Sequence, residues 1–358
     1  MLPNTTHDGT AAVPIVDFTA FTTDTYHKDA QLSAQCAASA SILAAFQSVG
    51  FVYLSNHGIA RARVEECFSW SKKFFDLPYE KKMLAPHPPG GSHHRGYSGL
   101  GKEKVSQNVF DKDAISLLRK APDVKESFES GNVNDEAQPN IWPPDEVLPG
   151  FREFMQSFFN DCAILVSKLL TSIALTLNLD PAYLSRAQSQ QLYQLRLLHY
   201  PRLPTSVLRS GEKGRIGAHS DFGTLTLLFQ DDVGGLEVED PNEPEKFTAV
   251  TPVKDTVLVN VGDLLMRWSN DLLRSTVHRV VAPPSDRPNG DARGENGGED
   301  ESGEEEMTKA RYSIPFFATA DPDTVIEALP GTWGEERPKR YESMTAWEYV
   351  QMRMAALY

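Results

Sequence analysis

Cysteine is scarce in this chain of 358 residues: Cys36, Cys67 and Cys162 are an odd count and match no zinc-ligand spacing. That excludes a disulfide framework, and reduced thiols in a cytoplasmic protein are the simple expectation. Positive charge is also short, with 35 Lys and Arg against 49 Asp and Glu, a formal net charge of -14 and no basic stripe. Nucleic acid and anionic membranes are therefore not expected as partners. No run is read as approaching transmembrane length. Residues Met1–His7 have neither a basic region nor an apolar run, so no signal peptide is expected. Asn4-Thr5-Thr6 matches a glycosylation sequon, which has no consequence without secretion. Apolar residues almost vanish from 285–309, which holds nine acids and three bases among glycines. Such a stretch cannot offset its ordering entropy, so a solvated loop is expected there, with an acidic docking loop as the lesser reading.

The rest of the chain has ample apolar pattern. Its first third reads α/β: a strand at Val13–Phe18, a helix over 29–49, a strand at Gly50–Leu54 and a helix over 61–76. His57, before Gly58, reads as a turn histidine. Residues 84–106, rich in Pro, Gly and His, read as a loop, and adjacent His93 and His94 point to opposite faces of an extended chain. The longest helix is expected over 150–178, where Phe154, Phe158, Cys162, Leu165 and Leu169 recur at three- and four-residue spacing. From residue 192 strands take over, at 193–200, 224–229, 235–239, 247–250, 256–261, 275–282 and 311–317. An amphipathic helix closes the chain over 344–357. The fold class is mainly β with flanking helices: a double-stranded β-helix, or jelly roll, with an α/β N-terminal region. Three regions are expected: 1–180, 181–330 carrying the acidic insert, and 331–358.

His219-Ser220-Asp221, answered by His278, carries the chemistry. In a strand, side chains two apart share a face, so His219 and Asp221 can hold one metal with His278 completing the set. Two imidazoles and a carboxylate on one side leave open positions opposite, which suits non-haem Fe(II). Arg311-Tyr312-Ser313 repeats the two-residue logic. Its guanidinium fork and hydroxyl can grip a carboxylate end-on, with Tyr200 as a third donor. Phe317 shares the face of Arg311 and Ser313 by parity, while Phe222 falls opposite His219 and Asp221.

His219-x-Asp221, His278 and Arg311-x-Ser313 resemble the Fe(II)- and 2-oxoglutarate-dependent dioxygenases of the isopenicillin N synthase-like superfamily. Val13–Phe18, Gly50–Gly58 and Gly262-Asp263-Leu264 extend the resemblance over nearly the whole chain. Arg95–Ser98, Asp123–Ser127, Arg267–Asp271, Ser275–Val281 and Ala355–Tyr358 are similar to a fungal branch that includes thymine 7-hydroxylase. Two features depart from that branch. The acidic insert stands where relatives have a short turn, and Tyr193 and Phe222 stand where the thymine enzyme has an asparagine and a tyrosine. Losing those polar groups leaves a pyrimidine's amide edge without partners, which points away from thymine.

The resemblance implies that His219, Asp221 and His278 bind Fe(II), and that 2-oxoglutarate lies with its far carboxylate on Arg311, Ser313 and Tyr200. O2 would be the oxidant, with ascorbate as an assay additive. The expected activity is hydroxylation or oxidative rearrangement of a small ring-containing molecule, a secondary metabolite or nucleobase-like compound, releasing succinate and CO2. Arg196, Tyr193, Phe222 and Phe317 are the expected substrate contacts, with Arg95-Gly96-Tyr97 as a lid. Two alternatives stand beside this: an iron oxidase of the same fold that does not use 2-oxoglutarate, and a small-molecule binding protein on the same scaffold.

Overall fold

Alternation of apolar and polar residues draws twelve strands into two facing antiparallel sheets, seen in a computed structural model that describes residues 13–23, 28–89, 93–102, 123–210, 214–283 and 306–355. The larger sheet runs β1 (Ile15–Asp17), β2 (Phe51–Ser55), β10 (Thr256–Val261), β7 (Leu225–Gln230), β12 (Arg311–Ala318), β5 (Gln194–Tyr200), β4 (Glu126–Gly131) and β3 (Gly96–Ser98). The smaller runs β6 (Ile216–His219), β11 (His278–Val280), β8 (Leu236–Asp240) and β9 (Glu243–Ala249). Only the β1–β2 pair within these sheets is parallel. This is the expected jelly roll, and β1 to β4, all before residue 180, hydrogen-bond into the same sheet as the later strands.

Strand parity sorts the side chains into two cores. On β12, Ile314, Phe316 and Ala318 face the helices, and Arg311, Ser313, Pro315 and Phe317 face the space between the sheets. The helical layer is dominated by Phe151–Thr176, whose Phe158 and Phe159 meet Phe229 and Phe316 at ring separations of 5.5 and 5.1 Å. By length and composition this 26-residue helix is long and apolar enough to cross a membrane, contrary to the expectation that no run approaches that length. It is the core helix of this fold, with one face buried on the sheet. Cys67 and Cys162 lie in that core, as their helical positions predict. The inner core, between the sheets, holds Phe51, Tyr53, Leu198, Leu236, Val238 and Leu258.

Several expectations need correction. Residues 96–98, read as loop, are strand β3. β4, Glu126-Ser-Phe-Glu-Ser-Gly131, has few strand-forming residues. Its two glutamates are buried because each has partners: Glu126 accepts from Lys82 at 2.7 Å and Tyr97 at 2.6 Å, and Glu129 pairs with Arg196 at 3.0 Å. β6 was also unforeseen, so His219-x-Asp221 is not one strand. The strand ends at His219, and Asp221 lies in the bend that leads to β7. Of the acidic stretch 285–309, residues 285–305 lie outside the described part of the chain, as does the sequon. Residues 306–309 are pinned rather than loose: Thr205 N donates to Glu306 O and Thr308 N to Leu203 O, both at 2.8 Å.

Candidate active site

Register brings the histidines together. His278 opens β11 directly opposite His219, the last residue of β6, and their ring centroids are 4.3 Å apart. Asp221 completes the group: the three ligand atoms lie within 4.8 Å of one another, and His278 Nε2 is 3.9 Å from Asp221 Oδ1. Each imidazole is oriented by a carbonyl two residues back, His219 Nδ1 on Gly217 O at 2.8 Å and His278 Nδ1 on Thr276 O at 3.1 Å. That arrangement puts the proton on Nδ1 and leaves Nε2 as the ligand on both rings. Burial and neighbouring His278 push His219 down to about 3, so it is neutral and ready to ligate. Burial works upward on the Asp221 carboxyl, but His278 and His219 outweigh it and bring it below the usual range.

Sequence reasoning missed what holds the carboxylate. Asp221 Oδ2 accepts from Thr226 Oγ1 at 2.6 Å and from Asn260 Nδ2 at 2.8 Å, which frees Oδ1 to face the imidazoles. The signal was there: an asparagine in the apolar strand Thr256–Val261 needs a partner if buried. Asn260→Leu should lower Fe(II) affinity about tenfold. An equilibrium titration checks this; unchanged affinity would remove the supporting role.

The bend carrying Asp221 is clamped by Gly262-Asp263-Leu264. Asp263 N donates to Asp221 O at 2.7 Å and Leu264 N to Phe222 O at 3.2 Å. A Cβ on Gly262 would stand 2.2 Å from Gly223 O, so only glycine allows this approach. Asp263 in turn accepts from Ser220 Oγ at 2.9 Å and pairs with Arg353 at 2.8 Å, while Arg353 Cζ lies 4.9 Å from the Phe222 ring centroid. The C-terminal helix Ala346–Ala355 is thereby tied to the metal bend.

Arg311, Ser313 and Tyr200 come together, as strand parity predicts for the first two. Arg311 and Tyr200 are direct partners across β12 and β5, and Arg311 donates to Ser313 Oγ at 3.1 Å. Arg311 is 1% exposed, yet none of the ion pairs among the described residues includes it. Arg311 Nε and the Tyr200 hydroxyl are buried without a hydrogen-bond partner. A buried guanidinium without a carboxylate is costly unless an anion joins it. Two other arginines show the contrast: Arg95 pairs with Asp135 at 2.8 Å and Arg196 with Glu129 at 3.0 Å.

One cavity of about 1280 Å³ is lined by the triad, Arg311 and Ser313 together with Phe222, Phe317, Arg196 and Trp347. Phe317 lines it as parity predicts. Phe222 also lines it, half-buried, because the strand ends before it and alternation no longer applies. Tyr193 only borders it: the hydroxyl donates to Gln188 Oε1 at 3.1 Å and the ring packs on Phe316 in the helix-facing core. Arg95-Gly96-Tyr97 is no lid. Arg95 is held by Asp135, Gln138 O and His94 O, and Tyr97 by Glu126. His57 is structural, edge-on to Phe229, while His87 and His94 cluster with Glu129. Both Glu129 oxygens are already engaged, by Arg196 and by Gln194 Nε2 at 2.6 Å, so that cluster is a charge clamp.

The donor set fits Fe(II) and a dicarboxylate, and the comparisons agree. Residues 13–145 match the family model described as the N-terminal part of non-haem dioxygenases in morphine synthesis, and residues 191–320 that of the 2OG-Fe(II) oxygenase superfamily. The chain is 44% identical over 316 residues to the 2-oxoglutarate-dependent dioxygenase frbA of Dothideomycetidae sp. (strain 11243), covering 87% of this chain and 89% of that one. It is 41% identical to the proline hydroxylase buaE of Petromyces alliaceus, covering 88% and 92%. The full-length Neurospora crassa thymine 7-hydroxylase bound to α-ketoglutarate superimposes with a TM-score of 0.81 at 37% identity, covering 99% of this chain and 98% of that one. A His/Asp/His triad beside a buried arginine with no ion-pair partner among the described residues is thus set in a chain that belongs to the 2OG-Fe(II) oxygenase superfamily, as a 2-oxoglutarate-dependent dioxygenase.

Proposed function

We propose that His219, Asp221 and His278 hold the iron of this dioxygenase, that Arg311, Ser313 and Tyr200 hold its 2-oxoglutarate, and that its substrate is a small ring-bearing molecule of secondary metabolism. The observation that carries the site assignment is the pair of orphaned donors, Arg311 Nε and the Tyr200 hydroxyl, in the cavity the triad shares. Bound iron, with 2-oxoglutarate and O2, supplies the oxidising chemistry that breaks a substrate C–H bond while the co-substrate is lost as succinate and CO2. The protein's own residues bind, orient and dry the reactants. Arg311 and Ser313 neutralise the far carboxylate and fix the co-substrate's reach into the cavity. Phe222, Phe317 and Trp347 offer flat apolar walls to a ring, while Arg196 and Gln194 supply a polar end.

The substrate reading draws on relatives' names as well as these walls. The Neurospora enzyme is known in complex with thymine and with 5-formyluracil, and buaE is named a proline hydroxylase. All three molecules carry a ring. Phe222 offers no polar group, and the Tyr193 hydroxyl is engaged by Gln188, which favours a ring with less amide edge than thymine. The experiment is a screen for substrate-dependent succinate release over cyclic amino acids, pyrimidines and aromatic acids. A hit should lose about a hundredfold in kcat/KM with Phe317→Ala. Turnover confined to acyclic compounds would refute the ring assignment.

The latch to the C-terminal helix yields a further expectation. Arg353→Met leaves Asp263 buried without its ion-pair partner. It should cost about 3 kcal/mol of stability and raise substrate KM more than it lowers iron content. Parallel melting curves and kinetics test this; a proportional loss of iron would tie the latch to the metal bend alone.

A further inference from the structure

Arg215, just ahead of β6, is as deeply buried as Arg311 at 1% exposure, and it is not among the residues lining the cavity. Its Nη2 donates to Lys309 O at 3.0 Å, while Nε and Nη1 have no hydrogen-bond partner. None of the ion pairs among the described residues includes it. Its Cζ is 5.5 Å from the centroid of the Tyr200 ring, and Arg311 Cζ is 5.1 Å from the same point. Two buried guanidiniums therefore flank one phenol. Burial and the like charge of Arg311 push Arg215 down to about 10. The acid that bears on both arginines, Asp231, spends its oxygens on the backbone: Oδ2 accepts from Tyr312 N at 2.5 Å and Oδ1 from Val233 N at 3.1 Å. Among the described residues the region thus holds more buried positive charge than its carboxylates offset, and an entering anion relieves that surplus.

We propose that Arg215 is a positioning residue for 2-oxoglutarate, acting through Tyr200 and adding a second buried positive charge that selects a co-substrate with a distal carboxylate. The role rests on the assignment of Arg311, Ser313 and Tyr200 to that carboxylate. It differs from theirs because Arg215 makes no contact with the ligand. Its effect falls on affinity and on the choice between 2-oxo acids, with the chemical step untouched.

The test is anaerobic binding to the Fe(II)-loaded full chain, followed by visible absorption, with 2-oxoglutarate and with pyruvate, which has the same 2-oxo acid head and no second carboxylate. Arg215→Met should weaken 2-oxoglutarate binding by about tenfold or more and pyruvate binding by less than about twofold, with Arg215→Lys between. The ligand-free Arg215→Met protein should melt no lower than the wild type, because an unpaired buried charge has been removed. Unchanged 2-oxoglutarate affinity in Arg215→Met, or equal losses for both acids, would overturn the role. Should Arg215→Met fail to fold, the ratio of the two affinities in Arg215→Gln, which also removes the charge, decides the matter in the same way. A wild type that binds 2-oxoglutarate no better than pyruvate would instead overturn the underlying site assignment, and this role with it.

Discussion

Asp221→Asn is expected to give a folded protein that retains almost no iron and turns over at less than about a thousandth of the wild-type rate. The substitution keeps the shape of the side chain and removes its charge. Thr226 Oγ1 and Asn260 Nδ2 both donate to Oδ2, so an amide oxygen can stay in that position with its hydrogen bonds intact. The amide nitrogen would then stand where Oδ1 now faces His278 Nε2 at 3.9 Å, and an amide N–H is no ligand for a cation. His219 is held neutral by burial, so losing the carboxylate leaves no histidine charge without a counterion at that position. Stability should therefore change little while metal binding collapses. Metal analysis after anaerobic loading, beside a melting curve, separates the two. A variant that holds iron as tightly as the wild type would remove Asp221 from the ligand set.

Arg311→Met carries the second large effect. Charge-assisted hydrogen bonds are worth about 1.5–3 kcal/mol each, and a bidentate grip makes two. Loss of both should raise the dissociation constant for 2-oxoglutarate by a hundredfold or more, by about the same reckoning. Arg311→Lys should fall between, since an ammonium keeps the charge and loses the planar fork. No carboxylate among the described residues forms an ion pair with Arg311, and Asp231, which feels its charge, keeps its backbone donors, so the ligand-free variant should be at least as stable as the wild type. The measurement is the co-substrate titration under anaerobic conditions, with iron content determined in the same sample. If iron falls together with 2-oxoglutarate affinity, Arg311 supports the metal site and does not grip the co-substrate.

The chemistry was more legible than the architecture around it. Arg311 and Ser313 could be read from sequence because two-residue spacing is a backbone property and β12 obeys it, whereas His219, Asp221 and His278 were legible only as residue types, since a chain bend and a cross-strand register bring them together. Spacing failed where a strand stopped. The bend after His219 turned Phe222 into the cavity, although alternation assigned it to the far face. β4 was illegible for a different reason: its glutamates are buried by partners distant in sequence, Lys82, Arg196 and His199, which no local pattern reveals. Arg95–Tyr97 was misread as a lid because Gly and His are common in loops, whereas Asp135 and Glu126 fix it as a sheet edge. Arg215 carried no signal at all. One arginine four residues before a metal histidine becomes notable only when its missing partners are seen.

The account stands most directly on one spectrum. Anaerobic addition of 2-oxoglutarate to the Fe(II)-loaded protein should produce a weak visible charge-transfer band, because His219, Asp221 and His278 would hold the iron in the cavity that Arg311 and Ser313 share. The same addition to Asp221→Ala should produce none. An iron spectrum that 2-oxoglutarate leaves unchanged in the wild type would contradict the co-substrate assignment at the His219, Asp221 and His278 site.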